Sequence, residues 1–161
     1  MAAPPLNPTN RYFPPGTRRT YWLVACANYL TGPTRAELNA GVDLTAEISA
    51  MTGFSVTVNM VDTPDLGSSF TSQIGGRRTS GPNDITFYLD IGSNDVRTLL
   101  PRGTNGFVVQ LWEGDVAGRK MSIFPAQVTT QAPDTATDNP GAMTISFAAS
   151  KLPAEMIAIP A

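Results

Sequence analysis

The sequence predicts a mainly β fold, one β-sandwich or barrel with a single short flanking helix, and three observations carry that prediction. Val, Ile, Thr, Phe and Tyr recur in short runs, and these are the residue types that fit a pleated, half-buried surface. Gly and Pro, at 14 each, punctuate those runs, as turns between many strands require. The 161 residues, 42% of them hydrophobic, suffice for one core and are too few for two large ones.

Residues 1 to about 17 hold five of the 14 prolines and almost no periodicity. They read as an extended arm, because proline fixes φ and keeps its neighbours out of the helix. The alternatives are a disordered terminus and an arm that docks on a neighbouring subunit, toward which Tyr12 and Phe13 point, and residues 18–161 form the domain. "RRTYWLVAC" (Arg18 to Cys26) is the first strand, with Cys26 a small buried hydrophobe. "TGPTRAELNAGVDLTAEISAM" is a long connection with one weak helical turn at "TRAEL", which Thr34 can cap. "FSVTVNMV" and "LGSSFTSQI" pair as a hairpin across "DTPD", where Asp62 and Pro64 supply the turn chemistry. "GGRRTSGPND" reads as a loop with Arg77 and Arg78 at its tip, and "ITFYLDI" as the next strand. "SNDVRTLLP" is the flanking helix, capped by Ser93 or Asn94 and ended before Pro101. "GFVVQLW" is nearly continuous in apolar residues and suits burial on both faces, whereas "RKMSIFPAQVTTQ" contains a proline and is therefore an edge or bulged strand. "MTISFAAS" and "AEMIAIP" are the last two strands. The total is seven to eight short strands, and no repeat of fixed period appears, which excludes propellers and solenoids.

Composition removes several function classes. A net charge of −2 and a pI near 4.9 offer no basic field for tight nucleic-acid binding. There is no histidine, so the commonest general base, the usual nucleophile triads and most zinc sites are missing. No cofactor, metal site or enzymatic activity is expected. Asp62 with Asp65 and Asp90 with Asp95 remain as carboxylate pairs, but the first flanks a turn where aspartate accepts backbone N–H bonds, and Asp95 suits a helix N-terminus. "GDVAGRKMS" lacks the spacing of a phosphate-binding loop. A single cysteine cannot make an internal disulfide. The N-terminus carries no signal-peptide pattern, and no apolar run approaches the ~18 residues needed to span a bilayer, so a soluble protein made in the cytosol, with no membrane partner, is expected.

"DTPDLGSSFTSQIGGR", "ITFYLD", "DVRTLLPRGTNGFVV" and "GDVAGRKMSIFPAQV", in this order, resemble the major tail tube protein of long-tailed, siphovirus-type bacteriophages, particularly those infecting actinobacteria, over residues about 35–161. The resemblance implies a structural virion protein: a β-sandwich with a flanking helix, six copies of which close into a ring around a continuous inner β-barrel. Rings would stack into a tube, assembled in the host cytoplasm, that meets other tail proteins and passes the tape-measure protein and the phage DNA. It implies no catalytic residue.

The hairpin stretch fits such a role on its own terms. Phe54, Val56, Val58 and Met60 alternate with Ser55, Thr57 and Asn59, and Phe70, Ser72 and Ile74 with Ser69, Thr71 and Gln73. The apolar faces would pack on the subunit core. Ser55, Thr57, Asn59, Ser69, Thr71 and Gln73 would line the bore, and the absence of Lys and Arg from Phe54 to Gly76 would keep DNA from being held at every ring. Asp62 and Asp65 would meet Arg77 and Arg78 of a neighbouring subunit. Two rivals stand beside this reading: the inner tube of a contractile tail or injection system, and a ligand- or carbohydrate-binding β-sandwich using Tyr12, Tyr21, Trp22, Tyr29 and Trp112.

Overall fold

The computed structural model describes residues 15–92, 96–134 and 140–161; Tyr12 and Phe13 of the expected arm, and the expected caps Ser93 and Asn94, lie outside them. Among the described residues are ten strands and two short helices: β1 (Arg19–Leu23), α1 (Arg35–Asn39), β2 (Val42–Asp43), β3 (Ile48–Thr52), β4 (Val56–Thr63), β5 (Ser72–Ser80), β6 (Asn83–Tyr88), α2 (Val96–Leu99), β7 (Asn105–Leu111), β8 (Lys120–Pro133), β9 (Ala142–Ala149) and β10 (Ala154–Ala158). The order across the main sheet is β2-β1-β7-β8-β9-β6-β3, with β10 also on β8, and every pairing is antiparallel.

β8 joins two halves of this sheet. Its first part pairs with β7 and β10, and its last part with β9, with a bulge between Val128 and Thr130. The strand expected to be an edge or bulged strand because of its proline is bulged, and it is central rather than at an edge. Pro125 is tolerated because it sits where β8 changes partner, between the rung to β10 at Ile123 and the first rung to β9 at Ala126.

The core lies between the halves. Trp22, Val108 and Phe124 from the first face Ile85, Phe87, Ile145 and Phe147 from the second. The opposite face of the first half is buried as well: Leu23, Val109, Leu111, Met121 and Ile123 are covered by Leu38 of α1 and by Ile159. The continuous apolar run of β7 exists for this reason. Gly106 in β7 is required by close approach, since a Cβ there would overlap the Trp22 ring and lie 2.7 Å from the Leu23 carbonyl oxygen.

The turn expected at "TRAEL" is a helix closed by reciprocal capping: the Glu37 N–H donates to Thr34 Oγ1 at 3.2 Å and the Thr34 N–H to the Glu37 carboxylate at 2.7 Å. The Ala27 N–H also donates to Glu37 at 2.7 Å, and these backbone bonds hold the carboxyl below its usual range. Arg35 fastens α1 to the turn between β7 and β8 through two bonds to Asp115, at 2.5 and 2.8 Å, and the Tyr21 hydroxyl donates to the same carboxylate at 3.3 Å. Arg35 accordingly lowers the Asp115 pKa against the opposing effect of burial. Cys26 lies beyond β1 rather than in it and is half-buried; burial raises its thiol pKa.

The hairpin departs most from expectation. β5 begins at Ser72, so Leu66 to Phe70 belong to the connection, and the stretch Gly75–Ser80, expected as a loop, is strand. Among the described residues β4 and β5 pair only with each other. They leave the main sheet through a sharp corner at Gly53 and Phe54, both left-handed (φ 79° and 53°). Phe54 plugs into the core edge-on to Phe124, and its N–H donates to the buried Asn83 side chain at 2.6 Å. Beyond Phe54 the ribbon stands off: Val56 is half-buried, but Val58, Met60, Phe70 and Ile74, expected against the subunit core, are exposed, Met60 at 63% and Phe70 at 75%.

Candidate assembly surfaces

Two surfaces follow from this geometry. The first is the outer face of the half-sheet β3-β6-β9-β8. Its registers align Ala50, Thr86, Thr144 and Ala132 in one row and Thr52, Asp84, Ser146 and Thr130 in the next. The intervening rungs, among them Met51-Ile85-Ile145, turn inward to the core, as the two-residue period of a strand demands. The outer rows are small or polar, the Thr86 and Thr144 hydroxyls bond across the strands at 2.9 Å, and the strand segments 48–52, 83–88, 128–133 and 142–149 contain no Lys or Arg and one carboxylate, Asp84. This face was missed in the sequence, although "NDITFY" and "MTISFAA" both carry its alternation.

The half-sheet also has open edges. Among the described residues β3 pairs with β6 alone, and residues 129–133 of β8 pair as a strand with β9 alone, the Gln131 carbonyl also accepting from Arg102 Nη2 at 3.3 Å. Because each neighbour reverses direction, β3 and β8 run oppositely, which makes the two edges complementary for antiparallel pairing between copies.

The second surface is the ribbon. Its register changes midway: Val56, Thr57 and Val58 oppose Ser80, Thr79 and Arg78, but Met60, Val61 and Asp62 oppose Gly75, Ile74 and Gln73. The extra residue lies on β5, where Gly76 and Arg77 together oppose Asn59 in a bulge. A Cβ at Gly76 would fall 2.8 Å from the Asn59 carbonyl oxygen and from Val61 Cγ2. This bulge corrects the expected faces. Gln73 shares a face with Asp62, to which it donates at 2.7 Å, and with Val58 and Met60. Thr57 and Asn59 share the other with Val61, Ile74 and Thr63. Ser55 precedes β4, and Ser69 and Thr71 lie in the connection, so the six residues expected to form one wall do not share one face. Apolar side chains project from both faces, and a two-stranded ribbon is marginal alone in water.

Asp62 and Asp65 lie toward the ribbon tip, where Asp65 Oδ1 accepts the Gly67 N–H at 2.9 Å. Arg77 and Arg78, expected at a loop tip, stand within β5 toward its base. The rung of Asp62 and the rung of Arg78 are separated by four residues of β4, about 13 Å at strand rise, so this protomer does not pair them. Beside the base a groove of about 620 Å³ is lined by Val56, Phe147, Leu152, Pro153, Arg78 and Lys151.

The aromatics of the carbohydrate-binding alternative are engaged elsewhere. Trp22 is buried, Tyr29 packs on Phe107, Tyr21 bonds to Asp115, and Trp112 donates its indole N–H to Ser122 Oγ at 3.1 Å beneath the Arg18 guanidinium. None of the four is exposed, and Tyr12 lies outside the described residues.

The sequence profile of the phage tail tube protein family matches residues 7–161. The chain belongs to that family. It is a structural protein of the virion tail, and among its described residues no helix is long and apolar enough to cross a membrane. Comparison with curated proteins finds none that matches. Solved structures share the fold of this tail tube protein. A chain of the anti-feeding prophage (AFP) baseplate, in a six-fold symmetrised cryo-EM structure, aligns with a TM-score of 0.57 at 11% identity, covering 94% of this chain and 95% of its own. A chain from the tail of an empty gene transfer agent particle, refined with C6 symmetry, aligns at 0.52 and 11% identity over 87% and 94%. A chain of the native gene transfer agent virion aligns at 0.51 and 12% identity over 73% and 90%.

Proposed function

We propose that six copies of this chain close into a ring whose bore is walled by the outer face of β3-β6-β9-β8, and that stacked rings form the tube of a long non-contractile tail. The observation that carries this reading is the cation-free face bounded by two complementary open edges. Pairing residues 129–133 of one copy with β3 of the next continues an antiparallel sheet around the ring and removes both edges. The six-fold symmetry of the AFP baseplate and gene transfer agent tail structures supports the copy number. A wall without Lys or Arg lets DNA and the tape-measure protein pass without a phosphate contact at every ring. Ser55, Thr57 and Asn59 would extend the wall where the ribbon leaves the sheet, while Asp62, Asp65, Arg77 and Arg78 serve contacts between copies. Tyr12 and Phe13 are proposed to dock the arm on a neighbour. The actinobacterial host type rests on the sequence resemblance. The second reading is the inner tube of a contractile tail or injection system; a sheath gene beside this one would decide for it.

The test is the wall's charge. Asp84→Lys turns each copy's one wall carboxylate into a cation, and Asp84→Asn removes charge alone. Phage carrying Asp84→Lys should assemble normally and release DNA more slowly, with the defect eased by added salt, while Asp84→Asn behaves as wild type. Equal release from all three would contradict the placement of this face in the bore.

A further inference from the structure

We infer that the ribbon tip of one protomer seats in the groove beside the ribbon base of a second copy of this chain, its acidic residues on Arg78 and Lys151. The inference rests on the tube reading and names the partner of its ribbon. Three observations lead to it.

The tip is built to be covered. Leu66 and Phe70 are exposed at 110% and 75%, and the charges at this end of the ribbon, Asp62 and Asp65, are both negative. The groove has the complementary character: apolar walls from Val56, Phe147, Leu152 and Pro153, with Arg78 and Lys151 as its charges. Neither cation forms a salt bridge among the described residues. The separation of tip and base along the ribbon then prevents one protomer from satisfying itself, so the fit is made between copies. Such a contact joins two different patches. Where it is not reciprocated between the same two copies it repeats in one direction, as a ring or tube requires.

The Gly53-Phe54 corner gives the contact its precision. The left-handed pair and the Asn83 bond fix the angle at which the ribbon leaves the core, so the tip is presented with little left to order on docking. The same corner helps wall the groove, because Val56 stands on the strand that issues from it and Arg78 on the strand paired with that one.

Charge reversal tests the pairing. A tip variant (Asp62→Lys with Asp65→Lys) and a groove variant (Arg78→Glu with Lys151→Glu) change exposed side chains, so each should keep the wild-type unfolding midpoint within a few degrees. Each alone should need roughly tenfold more protein than wild type to polymerise, measured by sedimentation, because like charges are brought together at every contact. Mixed in equal amounts the two should co-polymerise near the wild-type concentration, since each tip then meets a groove of opposite charge, and the fourfold variant should polymerise by itself. Wild-type tubes with reversed variants that polymerise equally well, or a mixture that gives no rescue, would overturn the docking and leave the tube reading intact. Wild-type protein that never polymerises would contradict both.

Discussion

Phe54 offers a test whose sign runs against habit. Replacing it with Ala removes a ring that is 4% exposed and packs on Phe124 and Phe147 at centroid distances of 5.4 and 6.0 Å. Losing a buried Phe costs about 3–5 kcal/mol, which for a domain of this size, at roughly 2–4 °C per kcal/mol, lowers the unfolding midpoint by about 6–20 °C. Phe54→Gly creates the same cavity. In a strand glycine is normally the worse choice, yet here the backbone sits at φ 53°, where any Cβ costs about 1–2 kcal/mol and glycine nothing. Phe54→Gly should therefore be about 1 kcal/mol more stable than Phe54→Ala, the reverse of the usual order. Urea unfolding of the two variants, followed by tryptophan fluorescence with attention to a constant slope, measures the difference. If Ala equals or exceeds Gly, the corner is not held in the left-handed region and the reasoning about the ribbon's fixed angle fails.

Two further outcomes follow from the same structure. Arg35 lowers the Asp115 pKa, so the folded state binds this proton less readily than the unfolded one. The pair's contribution is present above the ordinary carboxylate pKa and lost as pH falls through the lowered folded value. Asp115→Asn should thus be less stable than wild type near neutrality, with the gap closing under acid titration of the thermal midpoint; a gap constant to the lowest pH would contradict the assignment. Val58→Lys, on a ribbon face exposed in the protomer, should leave the protomer folded by circular dichroism while blocking polymerisation, because the charge would be buried only between copies; failure to fold would show that Val58 packs on its own subunit.

The strands with a strong internal signal were legible in the sequence. β1, β7 and β9 carry their periodicity in their own residues, and Thr34 announced the start of α1. Ile48–Thr52 did not announce itself, because Ser, Ala and Met are indifferent strand formers and β6 makes the segment a strand. Gly75–Ser80 has turn composition and is held extended by β4 opposite it. The face assignment of Gln73 and Ile74 failed for a single reason: one extra residue at Gly76-Arg77 exchanges the faces on either side of the bulge, and period two alone does not reveal it. Alternation in "FSVTVNM" does not say which surface would cover its apolar residues, and beyond Val56 its own subunit leaves Val58 and Met60 exposed. The wall row from Ala50 through Thr86 and Thr144 to Ala132 spans four strands far apart in sequence, so its continuity appears only once the registers are known.

Cryo-electron microscopy of tubes assembled from the purified protein tests the central claim most directly. The account predicts six-fold rings in which Thr86, Thr144, Ser146 and Asp84 face the bore and residues 129–133 of each copy pair antiparallel with Ile48–Thr52 of the next. A reconstruction with that face on the outside of the tube, or with β3 left unpaired at the subunit boundary, would contradict it.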